Sequence, residues 1–252
     1  MRLRGVKGIR EALEQQPDLV VLNPKDYKGG WSEKFFKNNN PIHVELGMGK
    51  GKFISELSLL NPDINYIGVD MYDELIRKAS IKARRSREGL DQASLSNLAL
   101  ALLNIEQISD VFAEGEIAVI YLNFSDPWPK ARHARRRLTH AGFVNQYIKL
   151  LHKEGQIQLK TDSMSLFEFS LNSFVDLGLR MRNISLHLHG DGLRQDLVMT
   201  EYETKFAGQG MPIYRCEVIL GQPMPPQITT VAAEEVPNNA PTAQSGGWIF
   251  LE

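Results

Sequence analysis

Apolar positions along the chain fall into short blocks separated by polar turns, and the period inside those blocks changes from one to the next. Residues 42–46 form a short apolar run that reads as a strand, followed at once by a glycine-rich turn. From residue 52 to 60 the pattern FISELSLL has helical spacing, and Asn61-Pro62 ends it; residues 66–69 form a second strand closing on Asp70. A long amphipathic basic stretch over 72–87 and a third strand over 97–103 continue the alternation. Residues 117–124, IAVIYLNF, are the strongest buried-strand signal: uninterrupted, β-branched and aromatic, bounded by Gly115 and Pro127. Beyond it a helix is predicted over 139–151 with Gly155 as its stop, a strand over 156–160 and a helix over 163–177. Two last strands, over 182–189 and 213–220, would form an antiparallel pair. This alternation predicts an α/β fold, an open, mostly parallel, doubly wound sheet with helices on both faces.

The flanks read differently. Residues 1–40 are a basic N-terminal segment with an Asn-, Gly- and Lys-rich loop over 23–40. From residue 221 the composition turns to Pro, Gln, Thr, Ala and Asn, so 221–252 reads as a disordered tail, its apolar end at 248–251 having no assigned role. The core domain is then 41–220.

Composition narrows the possible functions. At 252 residues and 42% apolar, the chain can bury a proper core. No apolar run could cross a bilayer and the N-terminus lacks a signal peptide's hydrophobic stretch, so a cytoplasmic protein with no membrane partner is expected. Cys216 is the only cysteine, which excludes a disulfide framework or a cysteine-rich zinc site. The six histidines have no metal-ligand spacing; His187 and His189 would share a strand face, as a partly buried pair. No metal is expected. The formal charge of −1 means that nucleic-acid affinity must come from segregated Lys and Arg. Such clusters occur at 2–10, 77–87 and 130–137, the last reading KARHARRR. The first two alone read as solvated faces, whereas the third adjoins the best chemical motif.

Two constellations carry chemistry. In Glu45-Leu46-Gly47-Met48-Gly49-Lys50-Gly51, glycines alternate between a strand and a helix, where backbone can approach a ligand, and Asp70 ends the next strand, placed to bond ribose hydroxyls. NAD(P) and S-adenosylmethionine both suit that geometry. The spacing G-x-G-x-G departs from the dinucleotide fingerprint G-x-G-x-x-G, and Glu45 would repel a pyrophosphate but suits a sulfonium-bearing amino acid, which favours S-adenosylmethionine. Asn104, near the end of the third strand, could reach the adenine amino group. The second constellation follows the strongest strand: Asn123-Phe124-Ser125-Asp126-Pro127-Trp128-Pro129-Lys130. Asp126, followed by two prolines around an aromatic plane, can accept hydrogen bonds from a guanine edge. Phe124 reads as core, while Trp128 could be core or a stacking platform. Lys130, Arg132, Arg135, Arg136 and Arg137 would contact phosphates. Asp162 follows a strand at the same edge as Asp126 and is a further site candidate.

Over about residues 23–220 the chain resembles the bacterial tRNA (guanine-N7-)-methyltransferases, on five segments in the right order: ELGMGKG, YLNFSDPWPK, RHARRRL, Lys160-Thr161-Asp162 and Thr200-Glu201-Tyr202-Glu203. The resemblance implies a Rossmann-like class I methyltransferase fold. It implies that Glu45, Gly47, Gly49, Asp70, Asn104 and Asp126 surround S-adenosylmethionine, with Asp126 catalytic. Lys130, Asp162, Thr200, Glu201, Tyr202 and Glu203 would line the tRNA side, with Arg132 to Arg137 touching RNA. Lys160 reads as structural. The reaction implied is methylation of N7 of a variable-loop guanosine (position 46 in the usual tRNA numbering), by a monomer or homodimer needing no obligatory protein partner. The family more often has Glu where this chain has Asp70 and Asp where it has Asn104: the first keeps the carboxylate with a shorter reach, the second keeps an acceptor and loses charge. A methyltransferase acting on protein or a small molecule, a catalytically silent RNA-binding module and a dehydrogenase are the rival readings.

Overall fold

In a computed structural model describing residues 8–89 and 95–221, the predicted alternation folds around one sheet. The strands are β1 (Val20–Val21), β2 (Ile42–Leu46), β3 (Asn65–Asp70), β4 (Leu98–Leu102), β5 (Ile117–Asn123), β6 (Leu151–Thr161), β7 (Arg180–Ser185) and β8 (Tyr214–Ile219), in the spatial order β1-β4-β3-β2-β5-β6-β8-β7. Neighbours from β1 to β6 run parallel, and β8 is inserted antiparallel between β6 and β7. The helices are α1 (Ile9–Glu14), α2 (Lys52–Leu60), α3 (Asp73–Arg85), α4 (Ala141–Leu150), α5 (Met164–Asp176) and α6 (Glu201–Ala207). The tail after residue 221, the end of the chain at 248–251 and most of the first basic cluster lie outside the described residues.

Burial explains the unbroken apolar strands. Every residue of β3 is buried and all but Ala118 of β5, because helices cover both faces. Successive side chains feed two different cores. Val44, Leu46, Ile120 and Leu122 join Trp31, Phe112, Tyr147 and Phe174 on one face. Val119 and Tyr121 join Leu13, Ile54, Ile76 and Leu98 on the other. Strand order reverses between β2 and β5, so the crevice beyond their carboxyl ends is the switch point at which open α/β sheets take ligands.

Three local expectations are corrected. Gly155 does not stop a helix: α4 ends at Leu150 and β6 begins at Leu151 with no intervening loop. The pairing passes from Ile117↔Leu151 to Val119↔Gln156, so residues 152–155 bulge opposite Ala118 alone, and the glycine serves that bulge. The strand expected over 182–189 ends at Ser185; His187 is exposed while His189 is buried, so the two share no face. The polar loop over 23–40 contains a 3-10 helix (Pro24–Tyr27) and a π-helix (Trp31–Phe36). Trp31 is wholly buried there, stacks on Phe112 with centroids 5.7 Å apart, and donates from Nε1 to the Val111 carbonyl at 3.0 Å. Within the segment 1–40, moreover, Val20 and Val21 pair with β4 and α1 packs on α3.

Candidate active site

Two adjoining cavities open at the switch point. One, of about 530 Å³, is lined by Asp70, Met71, Tyr72, Asn104, Asp126 and Trp128 among others. The second, of about 420 Å³, is lined by Glu45, Lys50, Phe53, Asn123, Thr200 and Tyr202 among others. Gly47, Leu75 and Phe124 line both. Each volume lies in the range of roughly 300–1,000 Å³ that small-molecule sites occupy.

The glycine turn between β2 and α2 forms the floor. Gly47 has φ 78° and an added Cβ would meet nothing within 4 Å, so the backbone itself faces open space. Gly51 is limited on the other side: φ is 71° and a Cβ would fall 2.6 Å from the Ala79 Cβ on α3. Gly51→Ala is therefore expected to cost about 1–3 kcal/mol through left-handed backbone strain and overpacking. Urea unfolding measures this directly, and an unchanged midpoint would mean that α3 yields to the methyl group. The turn is closed by Asp70, whose Oδ2 accepts from Gly49 N and Oδ1 from Tyr72 N, both at 3.2 Å. Burial raises the Asp70 pKa, and these amide donors counter it in part.

Glu45 is buried at the end of β2. Its Oε1 accepts from Asn123 Nδ2 at 2.9 Å, while Oε2 has no hydrogen-bond partner. Burial pushes its pKa up to about 8, against the opposing pull of Asn123, of the Lys160 ammonium and of the nearby Ile54 backbone amide on α2. A half-satisfied buried carboxyl lining a cavity is costly unless a ligand donor completes it.

Across the crevice, Asp126 is exposed on the turn after β5. Phe124 and Trp128, which flank it, both hold left-handed backbone, with φ 51° and 40°. Phe124 is not core, as its apolar character suggested, but half-buried between the cavities, its ring 5.3 Å from that of Tyr202. Trp128 lines the first cavity and carries the Arg136 guanidinium 4.8 Å from its ring centroid. Lys130, Arg132, Arg135 and Arg136 are exposed on or beside the 3-10 helix Ala131–Arg136. Arg137, expected to face RNA with them, is instead buried.

Glu203, expected on the same RNA side, is likewise fully buried. Both of its oxygens accept from Lys160 Nζ at 3.0 Å, and it forms a capping box with Thr200 at the start of α6. His189 Nδ1 accepts from Arg194 N at 3.2 Å, so its proton sits on Nε2, donated to Glu203 Oε1 at 3.1 Å. Burial lowers the Lys160 pKa, and the Glu203 carboxylate opposes the shift. This network ties α6 to the end of β6, leaving Thr200, Glu201 and Tyr202 at the cavity rim. Asp162 is half-exposed just past β6.

Residues 39–216 match the family described as Putative methyltransferase. The tRNA (guanine-N(7)-)-methyltransferase of Lysinibacillus sphaericus is 46% identical over 217 residues, 86% of this chain and 97% of that protein. The protein of the same name from Bacillus subtilis is 44% identical over 218 residues, 86% and 98% of the two chains. The chain belongs to the tRNA (guanine-N7-)-methyltransferase family. Solved structures share the fold at low identity. An antibiotic related methyltransferase matches at 18% identity and TM-score 0.54, covering 77% of this chain and 92% of that one. A 16S rRNA (adenine(1408)-N(1))-methyltransferase from Catenulisporales acidiphilia, solved with the cosubstrate SAM, matches at 16% and 0.53, covering 81% and 94%. These likenesses show the fold alone, a Rossmann-like sheet.

For this member of the family, the lining also includes residues that the sequence does not single out: the apolar Met71, Leu75, Leu103 and Ile105, and Tyr72 and Glu106, which lie outside any motif. Their position just beyond strand ends at the switch point was the available clue. Asn104 caps the 3-10 helix Ile105–Asp110, accepting from Glu106 N at 3.1 Å, a role the sequence reading did not give it.

Proposed function

We propose that the protein transfers a methyl group from S-adenosylmethionine to N7 of a guanosine in the variable loop of tRNA. The observation that carries the reading is Glu45: a buried carboxyl with one orphaned oxygen lining a cavity that continues past Gly47 towards Asp70, Asn104 and Asp126. That donor-seeking oxygen fits the ammonium of an amino-acid moiety, Asp70 fits ribose hydroxyls and Asn104 an adenine amino group. S-adenosylmethionine, when bound, supplies an electrophilic methyl group. Guanine N7 carries an in-plane lone pair and no proton, so the protein has no base catalysis to perform; it must orient the purine and stabilise the positive charge it acquires. Asp126, exposed at the rim, suits both tasks. Arg132, Arg135 and Arg136 with Lys130 supply phosphate contacts in a chain of net charge −1, and Asp162, Thr200, Glu201 and Tyr202 face the substrate.

The names of the relatives support the tRNA guanine target, and the SAM-bound neighbour of the same fold supports the methyl donor. Among the described residues no helix is long and apolar enough to cross a membrane; the reading adds a cytoplasmic location and action without an obligatory protein partner.

Incubation with methyl-labelled S-adenosylmethionine and an unmodified tRNA transcript, followed by borohydride and aniline treatment, tests the whole reading. Chain cleavage at one variable-loop guanosine is expected. Label transferred without cleavage would overturn the target atom, and no transfer would overturn the tRNA substrate.

A further inference from the structure

Arg137 closes the basic segment KARHARRR, yet its surroundings differ from those of its neighbours. Lys130, Arg132, Arg135 and Arg136 are exposed, whereas Arg137 is only 9% exposed. Its Nε donates to the Pro127 carbonyl and its Nη2 to the Trp128 carbonyl, both at 3.1 Å. Behind it, the guanidinium carbon lies 4.3 Å from the centroid of the Phe169 ring on α5. A planar guanidinium used in this way is a clamp: one edge is spent on two consecutive backbone acceptors and one face on an aromatic ring.

The clamped carbonyls are those of the two residues after Asp126. Of the four described non-glycine residues with left-handed backbone, two, Phe124 and Trp128, bracket Asp126. Side chains other than glycine's resist that conformation, so a turn that holds it twice within five residues must be fixed from outside. Proline at 127 and 129 removes two amide donors from the turn, and Asp126 and Pro127 stand exposed. Arg137 supplies two donors that tie the turn to α5.

We infer that Arg137 is a positioning residue for the reaction, which holds the Asp126 turn in place from beneath and does not contact RNA. The inference rests on the proposed tRNA methylation. It separates Arg137 from its basic neighbours by function: they hold phosphates, and it holds the turn that carries the carboxylate.

Salt dependence and turnover distinguish the two roles. A phosphate contact contributes about one unit to the slope of log affinity against log salt, whereas a clamp contributes none. The experiment compares the full-length protein with Arg137→Gln, Arg137→Lys and, as a phosphate-contact reference, Arg135→Gln. Equilibrium tRNA binding is followed over a salt series, and single-turnover methylation is followed at saturating tRNA and S-adenosylmethionine.

Arg137→Gln is expected to keep the wild-type salt slope and a tRNA affinity within about twofold, while its single-turnover rate falls about tenfold or more through misplacement of the turn. Arg137→Lys is expected to retain that rate loss, since an ammonium keeps the charge but cannot span both carbonyls in a guanidinium's geometry. Arg135→Gln is expected to reduce the slope.

A slope for Arg137→Gln reduced as in Arg135→Gln, with the rate at saturation intact, would overturn the inference. So would wild-type rates in both Arg137 variants, or full recovery by lysine. If Arg137→Gln lost its cooperative thermal transition, the lysine variant would decide by its single-turnover rate, because lysine keeps the charge and with it the salt slope in either role. Failure of the wild-type protein to methylate tRNA would instead overturn the underlying function, and it is scored first.

Discussion

Glu45→Gln is expected to stabilise the ligand-free protein at pH 8 while weakening its affinity for S-adenosylmethionine by about 10²-fold. A carboxyl whose pKa rises from 4.5 to about 8 on folding keeps a proton in the folded chain that the unfolded chain has already released between those values. Stability therefore falls as pH rises through that window, by an amount on the order of a few kcal/mol, and the deficit is absent below it. Glutamine carries no such proton and should flatten the dependence. Binding follows the opposite logic. An ammonium beside Oε2 favours the ionised carboxylate, so cofactor affinity of the wild-type protein should rise with pH until about 8, with proton release on binding below that. Urea melts from pH 5 to 8 and calorimetry in buffers of different ionisation enthalpy measure both effects. Equal pH dependence of the two proteins would show that another group titrates, and unchanged cofactor affinity would remove Glu45 from the binding site.

Asp126→Asn is expected to lower turnover at saturating tRNA and cofactor by about 10²-fold, while cofactor affinity changes by less than about tenfold. Asparagine keeps the side chain's size and one acceptor oxygen but loses the charge that opposes a developing purine cation. Cofactor binding should suffer less because Asp126 stands exposed at the rim, whereas Glu45 and Asp70 are buried beneath it. Single-turnover transfer from labelled cofactor separates chemistry from binding. A normal rate constant at saturating tRNA would remove Asp126 from the chemistry.

The parts of this molecule that sequence could reveal are those in which local pattern and tertiary role agree. The run IAVIYLNF is almost wholly apolar because helices cover both of its faces, and Gly47 and Gly49 face open space because the turn does. Legibility fails where tertiary context decides. Residues 23–40 look polar, yet Trp31 and Phe36 anchor one core, because a single aromatic can fill a site that no periodicity announces. Gly155 has the position of a helix stop but serves a bulge defined by β5. Arg137 and Glu203 are charged residues within motifs that suggest surface contact, and the partners that bury them lie far away in sequence, on α5 and β6. Phe124 reads as core because its type carries no sign of which side of the strand end it occupies.

Phe124 has a consequence for how ligands meet. Its ring, with Leu75 and Gly47, borders both cavities, so it stands where a cofactor spanning them and the base brought to it would meet. Any preference that the first ligand creates for the second is returned in equal measure, as linkage requires of equilibrium affinities. A substitution at Phe124 is then best read as a change in cooperativity: each ligand titrated alone reports only its own affinity, and the difference between titrations with and without the second ligand reports the coupling.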